Sequence, residues 1–355
     1  MTSPAHARPV LLVGSVPLAS ATQVFESVGS TLGGLAKRIS DGETGPRAGW
    51  IAWQVSILTK TDGLEIANYV SVPGMEQYKL PRMRPKAGLK PADIVFPPLG
   101  YAAAARESYE NFKQARTAGK FPADTRFQVS LPTPFAVVQA FFVEDVVHTI
   151  WPVYEAKMFN ELDEITRSIP HSDLAIQWDV AVEIITLEVA AGAASYMSQQ
   201  EAKLYPRQEI LDRLMRCCER VPSDVELGIH FCYGDPGHKH LVDPKDLTLL
   251  VELANYLSAK CARVLNWIHM PIPHDRDDDV YFAPLQNLKL RPQTELYLGL
   301  VHLTDGVAGA RRRIASASRA VKKFGIATEC GFGRRPPETV PALLALHRDI
   351  AQLGE

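Results

Sequence analysis

Short apolar runs recur along the chain, and a segment with helical spacing of apolar positions follows most of them. Runs without polar alternation are typical of parallel strands buried on both faces of a sheet, and strands that alternate with helices imply parallel pairing. Eight runs qualify, at residues 10–13, 36–40, 126–131, 174–178, 225–231, 263–268, 296–301 and 324–328. This number favours a closed barrel over an open doubly wound sheet. We therefore predict an α/β fold in which residues 1–355 form a single (β/α)8 TIM barrel.

Amphipathic segments between these runs predict helices, among them residues 207–220, 244–258, 307–323 and 338–352. Pro244 and Pro337 suit the first turns of two of these helices. Two regions break the alternation, the proline-rich residues 62–125 after the second strand and residues 270–294. We interpret both as loops over the barrel mouth, and 62–125 as an inserted lid, because loops of this length are usually functional lids or disordered.

Composition excludes several classes of function. The 38 basic and 40 acidic residues give a formal net charge of -2, which provides no electrostatic footprint for nucleic acid or an anionic membrane. The basic run at residues 311–313 is predicted to be a solvated helix face. No apolar stretch reaches the ~18 residues that span a bilayer, and residues 1–9 lack a signal-peptide core, so we expect a cytoplasmic protein. Five cysteines, an odd count, leave metal or thiol chemistry open.

Unusual polar residues cluster at the carboxyl ends of the predicted strands, which converge on one face of a barrel where active sites lie. They are Ser15, Glu43, Asp179, His230, Cys232, His269, His302 and Cys330. Several have structural alternatives: a turn or cap for Ser15, a solvated loop for Glu43, and a helix cap for Asp179 instead of a ligand-binding carboxylate. His302 is either a general acid or base or a hydrogen-bonded core residue. Arg47 is available to pair with Glu43 or with an anionic substrate.

A metal site is one interpretation of the histidine and cysteines. His230 and Cys232 lie two residues apart in a strand, so their side chains point to the same side and can chelate one ion. Cys330 ends a later strand and could complete the set, and mixed nitrogen and sulfur ligands suit zinc. The alternative is an incidental pair, with Cys330 as a small buried hydrophobic residue.

Taken in chain order, these residues resemble the motifs of the C-terminal catalytic barrel of cobalamin-independent methionine synthase, in the superfamily that includes uroporphyrinogen decarboxylase. The matching segments are Val13-Gly14-Ser15-Val16-Pro17, Asp41-Gly42-Glu43, Gln177-Trp178-Asp179, His230-Phe231-Cys232-Tyr233, Val301-His302, and Glu329-Cys330-Gly331 followed by Arg334. The likeness covers nearly the whole chain.

The resemblance implies a role for each residue. His230, Cys232 and Cys330 match the zinc ligands of the family, and His302 matches its proton-handling histidine. Three further positions match those that hold the amino-acid part of homocysteine, namely Ser15, Glu43 and Asp179. The implied activity is a zinc-dependent transfer of an alkyl group, expected to be methyl, to a small-molecule thiol such as homocysteine.

Two departures from the family pattern bear on the chemistry. The family has a glutamate as fourth zinc ligand at the end of the sixth strand, whereas residues 264–270 of this chain contain no glutamate and offer Asn266 and His269 as donors. We favour His269, and the alternative is a three-ligand site with an open position. Residues 132–142 contain phenylalanines but no tryptophan where the family contacts folate, so the alkyl donor is either a folate held differently or a simpler methylated compound. Other hypotheses are a barrel lyase or transferase that handles another thiol, and a non-catalytic zinc or small-molecule binding protein.

Overall fold

A computed structural model describes residues 7–71, 79–236 and 240–353. Strands within these ranges are β1 (Arg38–Ser40), β2 (Leu64–Val70), β3 (Leu80–Pro85), β4 (Arg126–Pro132), β5 (Leu174–Val180), β6 (Glu226–Phe231), β7 (Trp267–Pro271), β8 (Glu295–Gly299) and β9 (Gly325–Ile326). Helices are α1 (Ala21–Leu32), α2 (Val55–Leu58), α3 (Tyr101–Thr117), α4 (Pro134–Phe141), α5 (Glu144–Ser168), α6 (Val182–Ala190), α7 (Gln199–Ala202), α8 (Arg207–Arg220), α9 (Thr248–Lys260), α10 (Asp279–Phe282), α11 (Gly306–Ala320) and α12 (Val340–Ala351).

Seven parallel strands form one curled sheet in the order β1-β4-β5-β6-β7-β8-β9. Val10 makes one parallel bridge to Ala36, next to β1, and another to Ile326 in β9. The first predicted strand is therefore reduced to bridging contacts, but it lies between the two edges of the sheet. The predicted parallel α/β architecture is confirmed, and the bridges at Val10 are consistent with a closed barrel of eight units.

The space that the curled sheet encloses is filled with side chains at the amino ends of the strands. A small apolar cluster inside the barrel is separate from the main core between sheet and helices; its members are Leu11, Val13, Ala175, Trp267, Tyr297 and Ala327. The Arg38 guanidinium lies 4.4 Å from the centre of the Trp267 ring and forms ion pairs with Glu226 and Glu295. Within the described residues, this plug of Arg38, Trp267, Glu226 and Glu295 fills the amino ends of the strands and leaves their carboxyl ends available for a ligand.

Strand β7 begins later than the sequence predicts. The expected strand spans residues 263–268, but Arg263 donates from its guanidinium to the carbonyls of Val221 and Pro222 at 2.7 and 2.5 Å. These bonds hold the residue outside the ladder, and the strand runs from Trp267 to Pro271. Consequently His269 lies within β7 instead of after its end.

The helix predictions differ in their boundaries. Helix α8 has the predicted bounds, while α9 begins at Thr248, so that Pro244 precedes the helix. A 3-10 turn over Pro337–Thr339 comes before α12. No described helix is both long and apolar enough to cross a membrane.

Residues 62–125 are not simply a loop. Strands β2 and β3 pair antiparallel as a hairpin, and α3 is a 17-residue helix that packs against α1 and α5. The expectation of a loop is therefore wrong for α3, which occupies the place of the barrel helix between β1 and β4. Residues 72–78 of the predicted insertion lie outside the described residues, and its role as a lid stays a prediction.

The basic run at residues 311–313 is not entirely solvated. Arg313 is fully buried, with two 2.7 Å hydrogen bonds to the Asp305 carboxylate and further bonds to the carbonyls of Leu300 and His274. Successive helical residues point about 100° apart, so one member of a run of three faces the core while Arg311 faces solvent.

Candidate active site

The sheet register brings three of the predicted site residues into one row. Asp179 of β5 is opposite His230 of β6, and His230 is opposite His269 of β7. Side chains at the same level of neighbouring parallel strands point to the same side of the sheet. The row therefore places a carboxyl group and two imidazoles side by side at the carboxyl ends of the strands.

Three metal-binding donors converge beside this row. The ligand atoms of His230, Cys232 and Cys330 all lie within 4.8 Å of one another. The two sulfur atoms are 3.8 Å apart, and the Cys330 sulfur is 3.9 Å from His230 Nε2. Tetrahedral zinc with Zn–S bonds of about 2.3 Å holds two thiolates about 3.8 Å apart, so the spacing of these donors fits one zinc ion.

The protonation of these donors suits a metal centre. Burial and the neighbouring His269 hold the pKa of His230 well below its usual range, so that the imidazole is a neutral ligand. The hydrogen bond to Cys330 and burial raise the pKa of the Cys232 thiol. Without a cation this thiol keeps its proton, and a metal ion must displace it on binding.

His269 does not join the converging donors. Its Nδ1 lies 2.8 Å from Nδ1 of His230, and its Nε2 lies 3.0 Å from the Thr328 carbonyl oxygen. Both ring nitrogens are thus engaged in hydrogen bonds. In this arrangement His269 is hydrogen-bonded to Nδ1 of His230, while Nε2 of His230 faces the sulfur of Cys330. His269 does not occupy the fourth ligand position that we expected of it.

Glu43 and Asp179 form an acidic pocket next to the donors. Glu43 has a left-handed backbone, with φ of 49°, and a Cβ on Gly14 would lie 2.4 Å from its carboxylate. Burial and the nearby Asp179 raise the pKa of the enclosed Glu43 carboxyl to about 8. Burial also raises the pKa of Asp179 to about 8, despite a 2.9 Å hydrogen bond from Gln177. The charges of Arg47 and Arg334 lower the pKa of Glu43 and oppose the effect of burial without overcoming it.

The direct partner of Arg47 is Asp41, with two nitrogen–oxygen distances of 2.6 and 3.3 Å. Of the two alternatives for Arg47, the structure shows no direct hydrogen bond to Glu43 among the described residues, and binding of an anionic substrate stays a prediction. The Asp41 carboxylate also accepts the backbone N–H of Glu43 at 2.9 Å, and this bond shapes the turn.

Ser15 joins the end of the first strand to the segment after Cys330. Its hydroxyl accepts the N–H of Gly333 at 3.1 Å, and its carbonyl accepts the N–H of Phe332 at 2.7 Å. A Cβ on Gly331 would lie only 2.3 Å from this hydroxyl. Ser15 thus has a structural role here, and its contact with a ligand carboxylate stays a prediction.

His302 is paired with a carboxyl group near the metal donors. Its Nδ1 lies 3.1 Å from Glu329, and its Nε2 lies 2.9 Å from the carbonyl of Ile272, which accepts only. Burial lowers the pKa of His302 to about 3 and raises the pKa of Glu329. The other oxygen of Glu329 accepts from Arg335 at 3.2 Å, so His302 lies beside a buried carboxyl group that also has a cationic partner.

Three residues that contribute to the site, Arg334, Asp235 and Trp50, had no role predicted from the sequence. Arg334 donates to the Cys330 sulfur at 3.4 Å and to Asp235 at 3.1 Å, and Trp50 is hydrogen-bonded to Asp179. Arg334 was visible as the end of the Cys330 motif. Asp235 and Trp50 carry no comparable signal, because loop geometry alone brings them to the site.

Comparison with known proteins gives relatives by structure only. No family model and no curated protein matches the sequence. A B12-independent methionine synthase from Shewanella sp. W3-18-1, solved in complex with selenomethionine, matches over 98% of both chains with a TM-score of 0.61 and 13% identity. A methyltransferase from Methanosarcina mazei matches over 98% of this chain and 95% of its own, with a TM-score of 0.51 and 13% identity. The fold suggested by the sequence motifs is thus confirmed, and the chain is similar in fold to methionine synthase over nearly its whole length.

Proposed function

We propose that the chain is a zinc-dependent methyltransferase that transfers a methyl group to an amino-acid thiol such as homocysteine. The observation that carries this proposal is the meeting of three candidate metal donors, His230, Cys232 and Cys330, with an acidic pocket in which Asp179 is buried and Glu43 is partly buried. The methyl donor is a folate or a simpler methylated compound. The similarity in fold to a methionine synthase solved with selenomethionine supports an amino acid with a sulfur-containing side chain.

The three donors leave one coordination position for a ligand, as catalytic zinc sites do. When bound, zinc lowers the pKa of a thiol and holds it as the thiolate, which is the nucleophile needed to attack an alkyl carbon. The strands hold the three metal donors in fixed positions, so the chain would orient the substrate thiol for attack on the alkyl carbon. Arg334 stabilises the negative charge that accumulates near the sulfur of Cys330.

The acidic pocket binds the substrate ammonium group. Glu43 and Asp179 hold protons near neutral pH because loss of contact with water raises the pKa of both carboxyl groups to about 8. A bound ammonium replaces those protons with an ion pair, because a nearby positive charge favours the ionised carboxylate. This pocket would select an amino acid over a simple thiol.

His302 and Glu329 would handle the proton that the leaving group of the methyl donor requires. Their side chains lie 3.1 Å apart, and an imidazole beside a carboxyl group can pass a proton to a leaving group that accumulates negative charge. Of residues 62–125, the hairpin of β2 and β3 is proposed to cover this mouth during the reaction, since excluding water protects the reactive thiolate.

Metal content and ligand binding test the proposal together. We expect the purified protein to hold about one zinc per chain, Cys232→Ser to lose most of it, and Cys217→Ala, which removes a buried thiol elsewhere, to retain it. Calorimetry on the zinc protein is expected to show homocysteine binding more tightly than 4-mercaptobutyrate, which lacks the ammonium group. Absence of zinc from the wild type, or equal affinity for both thiols, would contradict the proposal.

These binding measurements, together with an assay of methyl transfer to homocysteine, separate the other hypotheses. A protein that binds zinc and homocysteine but transfers no methyl group from any donor is a binding protein. A protein that binds zinc and prefers 4-mercaptobutyrate handles a different thiol.

A further inference from the structure

Hydrogen bonds connect two of the three metal donors across the barrel. His230 Nδ1 is bonded to His269 Nδ1 at 2.8 Å, and His269 Nε2 is bonded to the carbonyl of Thr328 at 3.0 Å. The hydroxyl of Thr328 donates to the carbonyl of Cys330 at 2.6 Å. The chain of bonds thus runs from β6 through β7 to the segment after β9, and it begins and ends at a metal donor.

The direction of each bond follows from the chemistry of its acceptor. A carbonyl oxygen only accepts, so His269 Nε2 carries a hydrogen. The His269 ring is fully buried, and its two bonded partners are a carbonyl and an imidazole, neither of which is an anion that would hold an imidazolium there, so the ring is neutral and its Nδ1 is an acceptor. His230 must then donate from its Nδ1. Its Nε2, which faces the sulfur of Cys330 at 3.9 Å, is left with a free lone pair.

We propose that His269 is a positioning residue that fixes the tautomer and ring orientation of His230, so that Nε2 of His230 is ready to bind metal. Thr328 anchors His269 and, through its hydroxyl, the backbone of Cys330. The inference rests on the proposed function, since it assumes that a metal ion binds at His230, Cys232 and Cys330. It assigns the fourth coordination position to substrate.

General metal chemistry supports this role. A ligating histidine usually donates its second N–H to an acceptor, and loss of that acceptor typically weakens metal binding about 10- to 100-fold. The usual acceptor is a carboxylate, carbonyl or water. A neutral imidazole in that place keeps the donor set less negative than a carboxylate does, which favours binding of an anionic sulfur ligand.

The first experiment requires no metal. Nitrogen-15 NMR of the metal-free protein with labelled histidine distinguishes a ring protonated at Nδ1 from one protonated at Nε2. We expect His230 to carry its proton on Nδ1 and His269 on Nε2. A proton on Nε2 of His230 would overturn the inference, whether or not the protein binds zinc.

The second experiment measures zinc affinity by competition with a chromophoric chelator. His269→Leu, which removes the acceptor, is expected to weaken binding about 10- to 100-fold. His269→Asn offers a side-chain carbonyl to Nδ1 of His230 and is expected to recover most of that loss. Thr328→Val keeps the carbonyl that anchors His269, so the NMR signature of His230 should remain unchanged.

The outcomes separate the two proposals. If wild-type protein binds no zinc, the proposed function fails and the NMR result still decides the tautomer. If it binds zinc and His269→Leu binds it equally well, the function stands and the positioning role is overturned. X-ray absorption that finds two imidazoles on the metal would likewise overturn it, because His269 would then be a ligand.

Discussion

At the scale of the residue, Glu43 shows a conflict between stability and ligand binding. Its left-handed backbone is unfavourable for a glutamate, and its carboxyl occupies space that a side chain at position 14 would fill. The turn holds it there because Asp41 accepts its N–H. Strain and burial at one acidic residue are typical of positions retained for function.

Glu43→Gln should therefore stabilise the protein at alkaline pH. The native pKa of about 8 exceeds the ordinary glutamate pKa of 4.5, so the native state holds more protons than the unfolded state between these values. Stability contributed by this group is present below pH 4.5 and is lost as pH rises towards 8. The amide has no such dependence, and we expect a gain of roughly 1–2 kcal/mol at pH 8 relative to pH 5.

Urea unfolding of both proteins at pH 5 and pH 8 measures this difference. Glu110→Gln, at an exposed position on α3, is the matched control and should leave the pH dependence unchanged. If Glu43→Gln follows the pH profile of the wild type, the carboxyl group is not protonated in the native state. The same variant should bind homocysteine more weakly, because it removes half of the acidic pocket.

At the scale of the element, the sequence predicted which strands exist better than how they align. The alternation of side-chain direction along a strand correctly placed His230, in β6, and Cys232, just after it, on the same side. It could not reveal that His269 is level with His230, because register between strands depends on tertiary packing. The loops that bring Arg334 and Asp235 to Cys330 have no periodicity at all, so their contribution was invisible.

Helix α11 offers a matched pair of arginines for a stability test. Arg313→Met should destabilise the protein by about 2–3 kcal/mol, because it leaves Asp305 and two carbonyls without their donor. Arg311→Met, on the exposed face of the same helix, should change stability by less than about 0.5 kcal/mol. Denaturant unfolding compares the two, and equal effects would show that the buried ion pair contributes nothing.

At the scale of the whole molecule, the candidate metal centre ties together distant parts of the chain. Cys232 and Cys330 are 98 residues apart in sequence, and their sulfur atoms lie 3.8 Å apart. A metal ion bound to both constrains the barrel across its mouth, and its binding free energy adds to the stability of the fold. Chelation of the metal is thus expected to lower the melting temperature.

Zinc binding should release at least about one proton per chain near neutral pH. The hydrogen bond to Cys330 and burial raise the pKa of the Cys232 thiol, which must lose its proton to bind as the thiolate, whereas His230 is already neutral and releases none. Affinity should therefore rise with pH, by about 10-fold per unit for each proton released. Calorimetry in buffers of different ionisation enthalpy counts the protons, and release of none would contradict the ligand set.

The plug formed by Arg38 and Trp267 at the amino ends of the strands has a kinetic consequence. With the base of the barrel filled, reactants and products share one entrance. The molecule bound deepest, against Asp179 and the metal donors, must then enter first and depart last. Steady-state kinetics should show a compulsory order, with the methylated amino acid released after the spent donor.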